Sequence, residues 1–209
     1  MLLRKNDHVL FFGDSITDAG RKNKGGGDEN LGAGYVAMVA EALRGRYPEL
    51  KLRFTNRGIG GNHVSDLEKR LAADVIDLKP TVVSILIGIN DTWHWFDRGR
   101  VSPLDEFHAA YQRICRRIVE ELAARLVICE PFLLPTPPDR AAWRVDLDPR
   151  IHAVRRIGAE FADVYLPLDG LFAAAACSKP AEFWLHDGVH PTPAGHKLIA
   201  DAWIQAVCS

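Results

Sequence analysis

The chain carries three side chains of the kind that hydrolysis by an activated serine requires. Ser15 lies in the run FFGDSITDAG, where a short apolar segment stops, and Asp187 and His190 lie three residues apart in DGVHP. A serine hydroxyl becomes an effective nucleophile when a histidine accepts its proton, and a carboxylate must orient that histidine. Because one tight turn can bring Asp187 against His190, this spacing predicts a preassembled general base for Ser15.

Two further positions could stabilise the negatively charged oxygen that forms when a serine attacks a carbonyl. Gly61 lies in NRGIGGN and Asn90 lies in GIND. The backbone N–H groups of Ser15 and Gly61 and the side-chain amide of Asn90 would together form an oxyanion hole of three donors. Each fragment alone also has a structural interpretation as a turn, a strand-to-helix connection or a cap. Their joint occurrence, in order along the chain, favours the catalytic interpretation.

The elements that position these residues follow from the hydrophobic pattern. Strand-like runs alternate with apolar residues at helical spacing, which predicts an α/β fold with a mainly parallel five-stranded sheet and helices on both faces. Ligands of such sheets bind beyond the carboxyl ends of the strands, so we expect Ser15, Gly61 and Asn90 on one rim. The predicted strands are 8–13, 51–56, 81–88, 125–130 and 162–167.

Helix signals lie between and after these strands. An apolar stripe predicts a surface helix over 64–78 that stops before a proline. Ser102 is the predicted N-cap of a helix over 103–124, and Thr192 is the predicted N-cap of a last helix over 193–207.

Two long irregular segments are predicted, residues 21–34 and the proline-rich residues 131–149. Long loops in compact domains are often lids or binding walls, so both are expected near the site. Gly25-Gly26-Gly27, within the first segment, is not followed by Gly-Lys-Ser/Thr. We therefore expect a flexible loop there rather than a phosphate cradle.

Composition and charge exclude several classes of protein. The 209 residues are 47% hydrophobic and 25% charged, which is typical of a folded globular protein and fits a single domain over 1–209. The formal net charge of −1 gives no field for binding nucleic acid. No apolar run has the length of a membrane span, and none of secretory-signal length precedes the first strand, so we expect no membrane partner and a cytoplasmic location.

Cysteine and histidine spacing gives no sign of a metal site. His186 and His196 flank the loop that holds Asp187, but they lack the H-x-x-x-H spacing of a helical zinc pair. The cysteines form no C-x-x-C pair and are expected to be reduced thiols. They are Cys115, Cys129, Cys177 and Cys208.

Aromatic residues crowd around two of the candidate blocks. Trp93 and Trp95 follow Asn90, and Trp184 precedes Asp187. Flat rings beside a hydrolytic site could stack on a sugar, but the same rings could pack loops onto the core or form a subunit contact. A homo-oligomer is therefore permitted by the sequence.

The ordered blocks GDSITDAG, NRGIGGN, GIND and DGVHP resemble those of the SGNH hydrolases, a branch of the GDSL esterases and lipases. The resemblance spans residue 8 to about 205, and the overall pattern is most similar to intracellular bacterial acetylxylan esterases. Two departures flank the oxyanion glycine: Gly60 stands where serine is frequent, and His63 where threonine is frequent.

The resemblance implies a flavodoxin-like three-layer α/β/α fold and an acyl-enzyme mechanism without a cofactor. In that mechanism Ser15 is the nucleophile, His190 is the base and then the acid, and Asp187 holds the ring. The expected function is a serine esterase that removes short acyl groups, acetyl above all, from xylo-oligosaccharides or other acetylated sugars. The alternatives are a lysophospholipase or thioesterase of the same fold and a non-catalytic carbohydrate-binding domain.

Overall fold

The computed structural model of the chain describes residues 1–21 and 30–209. Its strands form one five-stranded sheet in the order β2-β1-β3-β4-β5, and every pairing in the sheet is parallel. The strands are β1 (His8–Gly13), β2 (Arg53–Gly58), β3 (Val82–Leu86), β4 (Arg125–Cys129) and β5 (Val164–Leu166).

Helices connect and follow the strands. In the described part of the chain they are α1 (Ser15–Asp18), α2 (Tyr35–Arg46), α3 (Val64–Asp74), α4 (Ile89–Arg98), α5 (Leu104–Leu122), α6 (Arg144–Phe161), α7 (Leu168–Ala176), α8 (Ala181–Trp184) and α9 (Pro193–Cys208). Short 3-10 helices lie at Pro48–Leu50, Ile76–Leu78 and Pro138–Trp143. None of the helices formed by residues 1–21 and 30–209 combines the length and apolar character needed to cross a membrane.

The sheet separates two hydrophobic clusters, as alternation along β1 shows. Val9 and Phe11 belong to one cluster, whereas Leu10 and Phe12 belong to the other. Successive side chains of a strand point to opposite faces, so both faces of β1 are buried. One cluster includes residues of α2 and α9, and the other includes residues of α3 and α5. The predicted three-layer α/β/α fold is confirmed.

One of the two predicted helix caps is confirmed and the other is wrong. Thr192 caps α9, since its Oγ1 accepts the N–H of Gly195 at 3.2 Å. Ser102 does not cap α5, whose N-cap is Pro103. Ser102 instead donates its hydroxyl to Asp91 Oδ1 at 2.8 Å. The Ser102 side chain therefore forms a tertiary hydrogen bond in place of the predicted helix cap.

Several predicted boundaries are wrong. Strand β2 lies at Arg53–Gly58 rather than 51–56, and β3 lies at Val82–Leu86 rather than 81–88. The predicted helix over 64–78 ends as an α-helix at Asp74, and its last residues form a 3-10 turn. The predicted irregular segment over 131–149 contains the 3-10 helix and the start of α6, with Pro149 inside that helix. Strand β5 is shorter than its predicted run because it pairs only with β4, along three residues. The predicted Gly25-Gly26-Gly27 loop lies outside the described residues.

Candidate active site

Ser15, His190 and Asp187 form a chain of hydrogen bonds at the carboxyl edge of the sheet. The Oγ of Ser15 lies 3.0 Å from His190 Nε2, and His190 Nδ1 lies 2.7 Å from Asp187 Oδ2. Ser15 begins α1 directly after β1, and the other two residues lie in the loop before α9. The structure thus brings together the three residues that the sequence singles out.

A tight turn prepares the Asp187–His190 pair locally. The second carboxylate oxygen of Asp187 accepts the backbone N–H groups of Val189 at 3.0 Å and His190 at 2.8 Å. Gly188 has a φ of +86°, and a Cβ there would lie 2.5 Å from the carbonyl oxygen of Leu134. Only glycine therefore fits this turn without strain.

The electrostatics of this pair suit a proton acceptor. The hydrogen bond to Asp187 raises the pKa of His190. Burial acts to raise the pKa of Asp187, but the hydrogen bonds from His190 outweigh it and lower that pKa to about 2. An ionised carboxylate only accepts hydrogen bonds, so it holds the ring proton of neutral His190 on Nδ1 and leaves Nε2 free to accept the proton of Ser15.

The neighbours of Ser15 hold its backbone in place. Asp14 is fully buried, and its Oδ1 accepts the N–H of Ile16 at 3.0 Å. Burial raises the pKa of Asp14 to about 7. Gly58 lets β2 approach α1 closely, because a Cβ at this position would lie 2.2 Å from the backbone nitrogen of Asp18. The short helix α1 is therefore fixed between β1 and β2.

The candidate oxyanion donors lie on neighbouring segments. A Cβ at Gly60 would lie 3.8 Å from Ser15 Cβ, which places this loop beside Ser15, and Gly61 has a φ of +78°. Asn90 lies in the first turn of α4, and its Nδ2 donates to the carbonyl oxygen of Asn62 at 3.0 Å. An amide NH₂ has two donors, so this bond orients Asn90 and leaves a second N–H for a ligand.

An aromatic wall stands on one side of His190. The Trp93 ring centroid is 5.4 Å from that of His190 and 5.3 Å from that of Trp143. The Arg140 guanidinium lies over Trp143, with its carbon 4.0 Å from the ring centroid, and 5.3 Å from the Trp93 centroid. Trp93, Arg140 and Trp143 line one surface cavity. This wall joins apolar faces to a cation at the edge of the site.

The other two candidate tryptophans contact different parts of the molecule. Trp95 is exposed and packs on Phe96, with ring centroids 4.7 Å apart. The indole N–H of Trp184 donates to the carbonyl oxygen of Ala175 at 3.1 Å, which ties it to α7. Of the three candidates, Trp93 is the one in ring contact with His190.

The histidines considered as metal ligands are placed differently. His196 Nδ1 accepts the N–H of Tyr35 at 3.2 Å, at the first residue of α2. His186 donates its backbone N–H to the carbonyl oxygen of His190 at 2.8 Å. Over the described ranges 1–21 and 30–209, no group of three or more His, Cys, Asp or Glu residues could hold a metal ion.

Sequence reasoning missed Arg140 and His94 near the site, and it noted His63 only as a departure from the family pattern. Arg140 lies in the proline-rich segment, whose composition gives no sign of which residue will turn inward. His63 and His94 are in contact through their rings, with His63 Nε2 2.5 Å from His94 Nδ1. The spacing of four residues between Asn90 and His94 would have placed them on one face of a helix, but it says nothing of the contact with His63.

Comparison with known proteins places these features in context. The chain matches the GDSL-like lipase/acylhydrolase family over residues 11–198. It is 34% identical to an acetylxylan esterase of Geobacillus stearothermophilus over 99% of this chain and 96% of that protein. A crystal structure of that esterase superposes with a TM-score of 0.87 at 32% identity, covering 99% of this chain and 96% of the other.

Two further structural likenesses complete the comparison. An α/β hydrolase enzyme from the metagenome of Lake Arreo, Spain, superposes with a TM-score of 0.91 at 32% identity, covering 100% of this chain and 98% of the other. Three other structures that resemble this chain are of catalytic mutants of the Geobacillus esterase. In these mutants an aspartate, a histidine or a serine is replaced by alanine.

Proposed function

The chain belongs to the GDSL-like lipase/acylhydrolase family and is a carboxylic ester hydrolase, and from this premise we propose that it deacetylates sugars through an acyl-enzyme on Ser15. The observation that carries the proposal is the chain of hydrogen bonds from Ser15 through His190 to Asp187. A binding module needs no such chain, because a general base and its orienting carboxylate serve only a proton transfer.

The proposed first half-reaction forms the acyl-enzyme. The Oγ of Ser15 attacks the ester carbonyl carbon while His190 Nε2 takes the serine proton. The tetrahedral intermediate collapses as the carbon–oxygen bond to the alcohol breaks, and His190 returns the proton to the leaving alkoxide. Asp187 stabilises the imidazolium that forms between these two transfers.

The second half-reaction releases the acid. His190 takes a proton from water, the hydroxide attacks the acyl carbon, and the bond to Ser15 Oγ breaks as the serine recovers its proton. In both halves, the N–H groups of Ser15 and Gly61 and the second N–H of Asn90 are the proposed donors to the oxyanion. Fixed donors of this kind stabilise charge that is present only in the transition state.

The wall formed by Trp93, Trp143 and Arg140 supports a sugar as the alcohol part of the substrate. Indole faces stack on the apolar faces of sugar rings, and a guanidinium donates hydrogen bonds to hydroxyl oxygens. The similar Geobacillus enzyme is an acetylxylan esterase, which supports acetylated xylo-oligosaccharides as the substrate class. Trp95 and Trp184 are weaker candidates for sugar contact because their observed partners are Phe96 and α7.

Two broader parts of the proposal rest on other observations. Ser15 and both oxyanion segments follow strands of one sheet, and the loop before α9 brings His190 to Ser15 at the same edge, which supports a single domain over 1–209. All four cysteines are free, two of them buried, which supports a reducing compartment and a cytoplasmic location.

The decisive experiment measures acid release from two sets of esters. Acetylated xylo-oligosaccharides are compared with p-nitrophenyl esters of increasing acyl length, using the wild-type protein and Ser15→Ala. We expect acetate release from the sugars, falling activity on longer acyl chains and loss of turnover in Ser15→Ala by about 10⁶-fold.

Each other outcome would contradict a different part of the proposal. Preference for long acyl chains would instead indicate a lysophospholipase or thioesterase of the same fold. Turnover retained by Ser15→Ala would place the nucleophile elsewhere. A wild-type protein that binds the sugars without hydrolysing any ester would be a carbohydrate-binding domain.

A further inference from the structure

The contact between His63 and His94 joins the two segments that carry the oxyanion donors. The ring nitrogens His63 Nε2 and His94 Nδ1 are 2.5 Å apart, and the ring centroids are 4.7 Å apart. Both residues are buried. A contact this short between two imidazoles is a hydrogen bond, which requires one nitrogen to carry a proton and the other to lack one.

His63 lies between His94 and the first turn of α3. Its Nε2 faces His94, and its Nδ1 lies 3.6 Å from Asp91 Oδ1. Its backbone N–H donates to the Asp66 carboxylate at 3.1 Å. The His63 side chain is therefore held between α3 and α4.

Burial keeps both rings neutral near neutral pH. Burial lowers the pKa of His63 to about 4, and burial likewise lowers the pKa of His94. Each neutral ring has one protonated and one unprotonated nitrogen, so the two rings can share one hydrogen bond.

The pair lies between the two oxyanion segments. His94 lies four residues after Asn90 in α4, so the two side chains share a face of that helix. His63 follows Gly61 by two residues, and a Cβ at Gly61 would lie 3.9 Å from His94 Cε1, so His94 lies beside the Gly61 segment. A rotation of α4 that displaced His94 would displace Asn90 relative to Gly61.

The geometry points to His63 and His94 as positioning residues that fix the distance between the oxyanion donors of Gly61 and Asn90. Two parallel contacts support this role. Asp91 Oδ2 accepts the N–H of Val64 at 3.2 Å, and Asn90 itself donates to Asn62. The inference rests on the proposed function, since it assumes that these donors face an ester oxyanion.

The test replaces His94, because a change at His63 would also disturb the start of α3. His94→Leu removes the hydrogen-bond partner of His63, and His94→Asn places an amide, which can donate or accept, near the position of Nδ1. We expect His94→Leu to lower kcat for p-nitrophenyl acetate about tenfold at nearly constant KM, which is less than the 10²–10³-fold loss typical of removing a whole donor. His94→Asn should restore most of the loss.

A double-mutant cycle with Asn90→Ala tests the coupling directly. Asn90→Ala alone should lower kcat by about 10²–10³-fold. If the pair acts by positioning Asn90, adding His94→Leu to Asn90→Ala should cost less than His94→Leu costs in the wild type. Equal losses in the two backgrounds would overturn the inference, as would a His94→Leu variant with unchanged kcat.

The matched control is His8→Leu, at the opposite end of the sheet. His8 is also buried, and its Nε2 lies 2.8 Å from Thr55 Oγ1. This variant should lower the melting temperature without lowering kcat, so a His8→Leu loss of kcat equal to that of His94→Leu would attribute the effect to general destabilisation.

The failure of the positioning role can be distinguished from the failure of the proposed function. If the wild type hydrolyses no ester, the proposed function itself is wrong. If wild type and Asn90→Ala behave as expected and His94→Leu is silent, only the positioning role fails.

Discussion

Two histidine–aspartate clusters lie at the same edge of the sheet, and they have opposite electrostatics. The His190 side chain is 39% exposed and lies 2.7 Å from Asp187, whereas the His63 side chain is 2% exposed and lies 3.6 Å from Asp91. A short hydrogen bond to the carboxylate raises the pKa of His190, and burial lowers that of His63 to about 4. A nearby carboxylate alone therefore does not make a histidine a base.

The two aspartates explain the difference. Asp187 directs one oxygen at the His190 ring. Asp91 is fully buried, with its oxygens already accepting from Ser102 and Val64, and burial raises its pKa to about 6. Because Asp91 already accepts two hydrogen bonds and its burial disfavours the ionised form, it gives little stabilisation to a positive charge on His63. The first cluster is arranged to exchange a proton, and the second to hold its backbone.

The largest expected effect separates the two aspartates. Asp187→Asn places an amide N–H against His190 Nδ1, which favours the wrong tautomer and should lower kcat by about 10⁴-fold. Asp91→Asn should cause a far smaller loss of kcat, because none of its contacts reaches Ser15 or His190. Steady-state kinetics of both variants on p-nitrophenyl acetate check the comparison, with circular dichroism confirming the fold. Similar losses would show that the two clusters do not differ in function.

The pH profile sharpens the comparison with an intermediate effect. Only neutral His190 accepts a proton, so kcat/KM should rise with pH through its raised pKa and fall about tenfold per pH unit below it. His63 titrates near pH 4 and should add no step between pH 5 and 8. A flat profile between pH 5 and 8 would contradict a histidine base.

The smallest effect concerns the exposed side of the His190 cluster. Trp93 lies against His190 and could stack on a sugar, so Trp93→Ala should raise KM for acetylated xylo-oligosaccharides by about five- to tenfold. KM for p-nitrophenyl acetate, which has no sugar, should change less. Trp95→Ala provides the comparison within the same helix and should change KM for the sugar less than Trp93→Ala. An equal rise for both substrates in Trp93→Ala would indicate a structural role for this ring.

Much of the fold was predictable because its signals are local. Apolar runs rich in Val, Ile and Leu mark strands buried on both faces, and their alternation with helical patterns requires parallel crossovers. The order and hand of those crossovers bring the carboxyl ends of β1, β2 and β3 to one rim. Helix α4 was not predicted from its short run of aromatic and polar residues. This helix packs against α6 and the 3-10 helix at Pro138–Trp143, and these contacts are not visible in the local sequence.

The sequence by itself determined which residues are available for chemistry and where along the chain they lie. Ser15 after a strand, and Asp187 three residues before His190, are features of spacing, and a turn of four residues has few conformations. This is why the Asp187–His190 pair could be predicted without knowledge of distant contacts.

Only the tertiary structure decided how residues far apart in the chain share charge and space. His63 and His94 are 31 positions apart in the sequence, and this separation does not indicate their hydrogen bond. The approach of Arg140 to Trp93 depends on how the segment before α6 folds over α4. Burial, which lowers the pKa of His63 and raises that of Asp91, is likewise a property of the packed molecule. Whether a histidine acts as a general base or holds neighbouring segments in position depends on its solvent exposure and its hydrogen-bond partners. Both are set by the tertiary structure.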